Sequence, residues 1–64
     1  MPQVNINMWE EFLDETNERR LITALTDAVV SVFGEPIRPY TSVLVHGVPQ
    51  RRWGTGGVPT SDQP

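Results

Sequence analysis

Between residues 14 and 33 a single apolar stripe decides most of what this chain can become. Leu21, Ile22, Leu25, Ala28, Val29, Val32 and Phe33 recur at the spacing of one helix face. Asp14 stands ahead of the stripe as an N-cap, with Glu15 and Glu18 in the first turn, where the helix dipole favours negative charge. Leu13 is the apolar half of a staple. Gly34 offers the left-handed C-terminal position and Pro36 forbids continuation, so the expected helix runs from Asp14 to Phe33.

A strand is expected on each side of that helix. From Gln3 to Trp9 the chain alternates, with Val4, Ile6 and Met8 on one face and Gln3, Asn5, Asn7 and Trp9 on the other. Thr41 to Gly47 is rich in β-branched residues and ends in glycine. Strand, long helix and strand make a β-α-β unit, with parallel strands and a right-handed crossover. Beyond it, Arg51, Arg52 and Trp53 with their flanks suggest a short strand or hairpin. The expected class is α+β: one β-α-β domain over residues 1–57 and a flexible tail over 58–64.

A chain of 64 residues buries proportionately little surface and ordinarily needs a staple. Cysteine is absent, which removes disulfides and thiolate metal sites, and the single His46 cannot supply a zinc site. Two parallel strands under one helix leave two edges and one face uncovered. Joining sheets with further copies of the chain solves both problems, so self-association is the expected staple. Eight acids against five bases, a net charge of -3, argue against nucleic acid as a partner. No apolar run reaches the roughly 20 residues of a membrane span, and no signal-peptide pattern is visible, so a cytoplasmic location is expected.

Few residues here are equipped for chemistry. Pro2 follows the initiator methionine, directly ahead of the first strand. The plain reading is structural, because proline lacks an N–H and belongs at strand starts. The sharper reading is that Met1 is trimmed, leaving a secondary amine whose pKa is lowered by apolar burial and neighbouring arginines. A base near neutrality can take a proton beside a carbonyl and return it elsewhere. Every basic residue is an arginine, Arg19, Arg20, Arg38, Arg51 and Arg52, and arginine's planar fork suits carboxylates. Gly54, Gly56 and Gly57 suit a sharp turn, without the Lys-Ser/Thr of a phosphate loop. Trp53 reads as a pocket wall or as interface packing, and His46 as a strand residue without catalytic duty.

Taken together, Met-Pro followed by an alternating strand, one long helix, a second strand and Trp53-Gly-Thr-Gly-Gly57 resembles the 4-oxalocrotonate tautomerase family over about residues 2 to 57. That resemblance implies a β-α-β protomer assembled into homohexamers, as a trimer of dimers, and cofactor-free keto–enol isomerisation. It makes Pro2 the general base and acid, and puts Trp53 in place of the aromatic that lines the pocket. Members acting on dicarboxylates carry one arginine shortly after the first strand and another on the second; here those places hold Glu10, Glu11 and Phe12, and Leu44. Arg38, Arg51 and Arg52 are the remaining candidates for holding a carboxylate. The expected substrate is a small enol or α-keto acid. Two alternatives keep the fold: a hydratase or dehalogenase that uses Pro2 with Glu10 or Glu11 activating water, and a non-catalytic assembly subunit.

Overall fold

Helix α1 (Glu15–Phe33) begins where the sequence expects it, held by a reciprocal cap. The Asp14 carboxylate accepts from the Asn17 backbone N–H at 2.8 Å, and the Asn17 side-chain oxygen accepts from the Asp14 N–H at 2.9 Å. Two of the helix start's unpartnered donors are thereby satisfied. Asn17 also donates to the Phe12 carbonyl at 2.6 Å, tying the helix to the 3-10 turn Glu10–Phe12 before it. Gly34 ends the helix with φ 94° and ψ 164°, a positive-φ extended conformation and not the expected left-handed helical one. Only glycine adopts it without strain.

The computed structural model describes residues 2–64. Strand β1 (Gln3–Trp9) precedes α1 and strand β2 (Ser42–Val48) follows it, one residue later than expected at each end. The strands pair in parallel, from Gln3 opposite Ser42 to Trp9 opposite Val48. Between α1 and β2 lies a 3-10 segment, Glu35–Tyr40, in which Pro39 is accommodated because the segment is a short turn rather than a helix interior. The chain is an α+β fold built on one β-α-β unit.

After β2, Gln50–Arg52 forms a 3-10 turn, and the hairpin falls later than the Arg-Arg-Trp segment, in β3 (Gly54–Thr55) and β4 (Val58–Pro59). Gly56 and Gly57 join these strands with φ of 63° and 83°. Positive φ at both central residues is what a tight hairpin turn demands. The segment assigned to a tail from residue 58 carries β4 and a final 3-10 turn, Thr60–Asp62. Thr60 donates to the Trp53 carbonyl through its backbone N–H at 2.6 Å and its hydroxyl at 2.7 Å. A boundary after Gly57 therefore cuts through the hairpin.

The core is thin. Val4, Ile6 and Met8 of β1 and Val43 and Val45 of β2 face Leu21, Leu25, Val29 and Val30 of the helix, and all are half-buried except Val30, which is buried. Val30 lies outside the expected stripe, whereas Val32 and Phe33 within it are 74% and 71% exposed. In the last turn Val30 is thus the residue turned inward, while Val32 and Phe33 lie on its exposed side. The molecule extends 45 × 24 × 16 Å with a radius of gyration of 14.7 Å, against about 11 Å for a compact chain of this length.

Candidate active site

The parallel pairing sends the sequence's candidate residues to opposite ends of the sheet. Pro2 stands at the head of β1, half-buried, with its carbonyl accepting from the Ser42 N–H at 3.0 Å. The bond fixes Pro2 to the first rung of the ladder and asks nothing of the proline nitrogen. Arg38 belongs to the 3-10 segment leading into β2, at the same end of the sheet. Arg51, Arg52 and Trp53 follow β2 and lie at the far end. Six residue steps separate those ends, about 20 Å at strand spacing.

Arg38 is held by two carboxylates. Its guanidinium donates to Asp27 at 2.8 Å and to both oxygens of Glu35 at 2.9 and 3.2 Å. The hydrogen bond and charge of Arg38 hold the Glu35 carboxyl below the usual carboxylate range, and the two carboxylates push the Arg38 pKa further up. This arrangement straps the α1–β2 connection to the helix. Arg51 and Arg52 are exposed, and among the described residues neither makes an ion pair.

At the far end the structure brings together residues that the sequence reading left apart. Trp9, at the end of β1, meets Trp53 edge to face with ring centroids 6.3 Å apart. Phe12, from the turn after β1, also meets Trp9 edge to face, with ring centroids 5.2 Å apart. With Asn7 and Met8 these rings line an open cavity of about 320 Å³ whose walls are almost wholly apolar. The backbone N–H of Gln50 donates to both carboxylate oxygens of Glu11, at 3.2 and 3.1 Å, joining the turn that carries Phe12 to the turn that leads into Trp53. Glu11 therefore acts as a tie between two turns rather than as a free base. Trp9 and Phe12 escaped notice because alternation alone reads them as strand and loop. The signal was their adjacency to the acidic pair in Trp9-Glu-Glu-Phe12.

A second cavity, of about 430 Å³, opens beside the helix and is lined by Glu10, Leu13, Glu18, Ile22, Val45 and Gly47. It brings two carboxylates together without a cation. His46 lies on the uncovered sheet face, its Nε2 3.1 Å from the Asn5 side-chain oxygen, which gives it a strand-to-strand contact and no place in either cavity. Among the described residues no group of three His, Cys, Asp or Glu is placed to hold a metal ion. Among the described residues no helix is long and apolar enough to cross a membrane.

The chain is a small β-α-β protomer with a half-buried proline at the head of its first strand and an aromatic pocket at the other end of the sheet. The tautomerase enzyme family matches residues 2–63, and the chain belongs to that family. A structure solved for the 4-oxalocrotonate tautomerase isozymes of Methylibium petroleiphilum is similar over 94% of each chain, at 32% identity and a TM-score of 0.83. A 4-oxalocrotonate tautomerase homologue is similar over 100% of this chain and 98% of its own, at 26% identity and a TM-score of 0.81. No curated protein matches the chain.

Proposed function

We propose that this chain is a cofactor-independent tautomerase acting on a small enol or α-keto acid, with Pro2 as the group that moves the proton. The observation that carries the reading is the setting of Pro2: half-buried at the head of β1, anchored through its carbonyl to Ser42, with its ring nitrogen outside the ladder. Removal of Met1, which lies outside the described residues, makes that nitrogen a secondary amine. The neutral amine takes the enol O–H proton, the pair left on oxygen forms the keto C=O, and the C=C pair moves onto the carbon that will be protonated. The same nitrogen then returns the proton to carbon. One O–H and one C=C are lost and one C=O and one C–H gained, without oxidation or reduction.

Pro2 and Trp53 belong to opposite sheet ends, so one chain cannot offer both to one substrate. The site is completed by self-association, with the amine of one copy facing Trp53 and the Arg51–Arg52 pair of another. Exposed Val32, Phe33 and Tyr40 supply apolar surface for assembly, in keeping with a homohexamer arranged as a trimer of dimers. Arg51 and Arg52 hold the substrate carboxylate; Arg38, already bound by Asp27 and Glu35, shapes the proline end instead.

The test is a Pro2→Ala variant shown by circular dichroism to keep its helix, assayed for ketonisation of an enol acid. Turnover should fall by about a hundredfold or more, the ordinary worth of a positioned acid–base group. Unchanged turnover, or a mass spectrum in which Met1 is retained on active protein, ends the proposal.

A further inference from the structure

The proline reading leaves the substrate open, and the aromatic end of the sheet narrows it. We propose that Trp9, Phe12 and Trp53 form an aryl-binding subsite, so that the substrate is an enol acid carrying one carboxylate and a flat aromatic tail. This inference rests on the tautomerase reading for its chemistry, but the subsite is argued from its own geometry.

Three observations converge. The cavity holds about 320 Å³, roughly twice the ~150 Å³ void known to accept benzene in a protein interior. A phenyl ring with a short acid chain therefore fits it, with the acid left at the open side. Next, the rings are already arranged edge to face around Trp9, so an added ring extends an aromatic cluster in its preferred geometry. Lastly, the charges on the two turns are segregated. Arg51 and Arg52 precede Trp53 on one turn, whereas Glu10 and Glu11 lie between Trp9 and Phe12 on the other.

That segregation gives the selectivity. A single carboxylate turned toward Arg51 and Arg52 is matched by a cation. A second carboxylate at the far end of the substrate meets almost wholly apolar walls that hold no cation to pair with it. Glu11 keeps this arrangement in register, since its carboxylate on the Gln50 N–H joins the two turns. Glu11 is thus a positioning residue, and Trp9 and Phe12 determine specificity.

Both tryptophans of the chain line the subsite, so intrinsic fluorescence reports on it directly. The assembled protein is titrated with 3-phenyllactate, an unreactive aryl hydroxy acid, and with adipate, an unreactive dicarboxylate. Phenyllactate should bind at least about tenfold more tightly, and Phe12→Ala should weaken it by about tenfold while circular dichroism stays constant. Ketonisation of the enol of phenylpyruvate should likewise exceed that of a dienol dicarboxylate in kcat/KM. Equal binding of the two acids, tighter binding of adipate, or a Phe12→Ala protein that binds phenyllactate as the parent does would overturn the assignment.

The two readings separate cleanly. A Pro2→Ala protein that still binds phenyllactate but no longer turns over supports both. If it turns over normally while binding persists, the proline mechanism is lost and the aryl subsite stands. An active parent protein whose fluorescence ignores phenyllactate leaves the mechanism intact and removes the subsite.

Discussion

Replacing Glu11 with alanine tests whether the aromatic end is held together as described. The substitution removes both acceptor oxygens from the Gln50 N–H, at 3.1 and 3.2 Å, and with them the hydrogen bond between the Glu10–Phe12 and Gln50–Arg52 turns. A hydrogen bond to a charged acceptor nets about 1.5–3 kcal/mol, and the exposure of Glu11 brings that toward about 1 kcal/mol. One kcal/mol corresponds to a factor of about five in a local opening equilibrium. Amide hydrogen exchange followed by NMR reads this at one atom. The Gln50 amide should exchange about fivefold faster in Glu11→Ala, with Glu11→Gln restoring most of the protection through its remaining carbonyl oxygen. Amides in the middle of β1 and β2 should be unaffected. Unchanged exchange at Gln50 would mean that the bond is not kept in solution, and the account of how Trp53 is positioned would fail with it.

Two further outcomes are expected. Phe33→Ser, at a site 71% exposed, should leave the helical signal of the chain intact yet lower its assembled mass by light scattering at micromolar concentration; an unaltered mass would place the interface elsewhere. The strap of Glu35 and Arg38 gives stability a defined pH sense. Because Arg38 depresses the folded-state pKa of Glu35, the contribution is present above the unfolded carboxyl value of 4.5 and is lost as pH falls through the depressed value. In Arg38→Gln the acid limb of a urea-midpoint profile below about pH 4.5 should be shallower than in the parent, and an identical limb would count against the strap.

The β-α-β unit was legible because its signals are local. Alternation in Gln3–Trp9, the cap at Asp14 and the stop at Gly34 each depend on a few neighbouring residues and on no distant partner. The inward face of α1 was read less well. A period of 3.6 identifies a helical stripe but cannot say which side of the last turn faces inward, so Val30 was missed and Val32 and Phe33 were counted as covered. The site was harder again. Pro2 and Trp53 are visible as residue types, but the Trp9–Phe12–Trp53 cluster unites positions more than 40 apart in the chain, and the Glu11 tie joins residues 39 apart. Arg38 illustrates the converse. By residue type it is one of three candidates for a carboxylate, and only its distances to Asp27 and Glu35 reveal that three of its five donors are already taken.

The separation of Pro2 from Trp53 has a quantitative consequence for mixed assemblies. Parallel pairing puts the first residue of β1 and the turn after β2 at opposite ends of the sheet, so a site that uses both draws them from two chains. Suppose Pro2→Ala and Trp53→Ala chains are each nearly inactive alone. In a Pro2→Ala assembly every site lacks the amine, and in a Trp53→Ala assembly every site lacks the wall. When the two are unfolded, mixed equally and refolded together, each site takes its proline and its tryptophan independently. A site with both native residues then arises with probability one half times one half, so about a quarter of parental activity should return. The recovery should track the mixing ratio, peaking at equal parts and vanishing at either extreme. Sites contained within single chains would give no recovery at any ratio, because every chain in the mixture carries one lesion. Mass spectrometry of the refolded assemblies confirms that the chains have mixed, and an absence of activity in demonstrably mixed particles would refute the two-chain site.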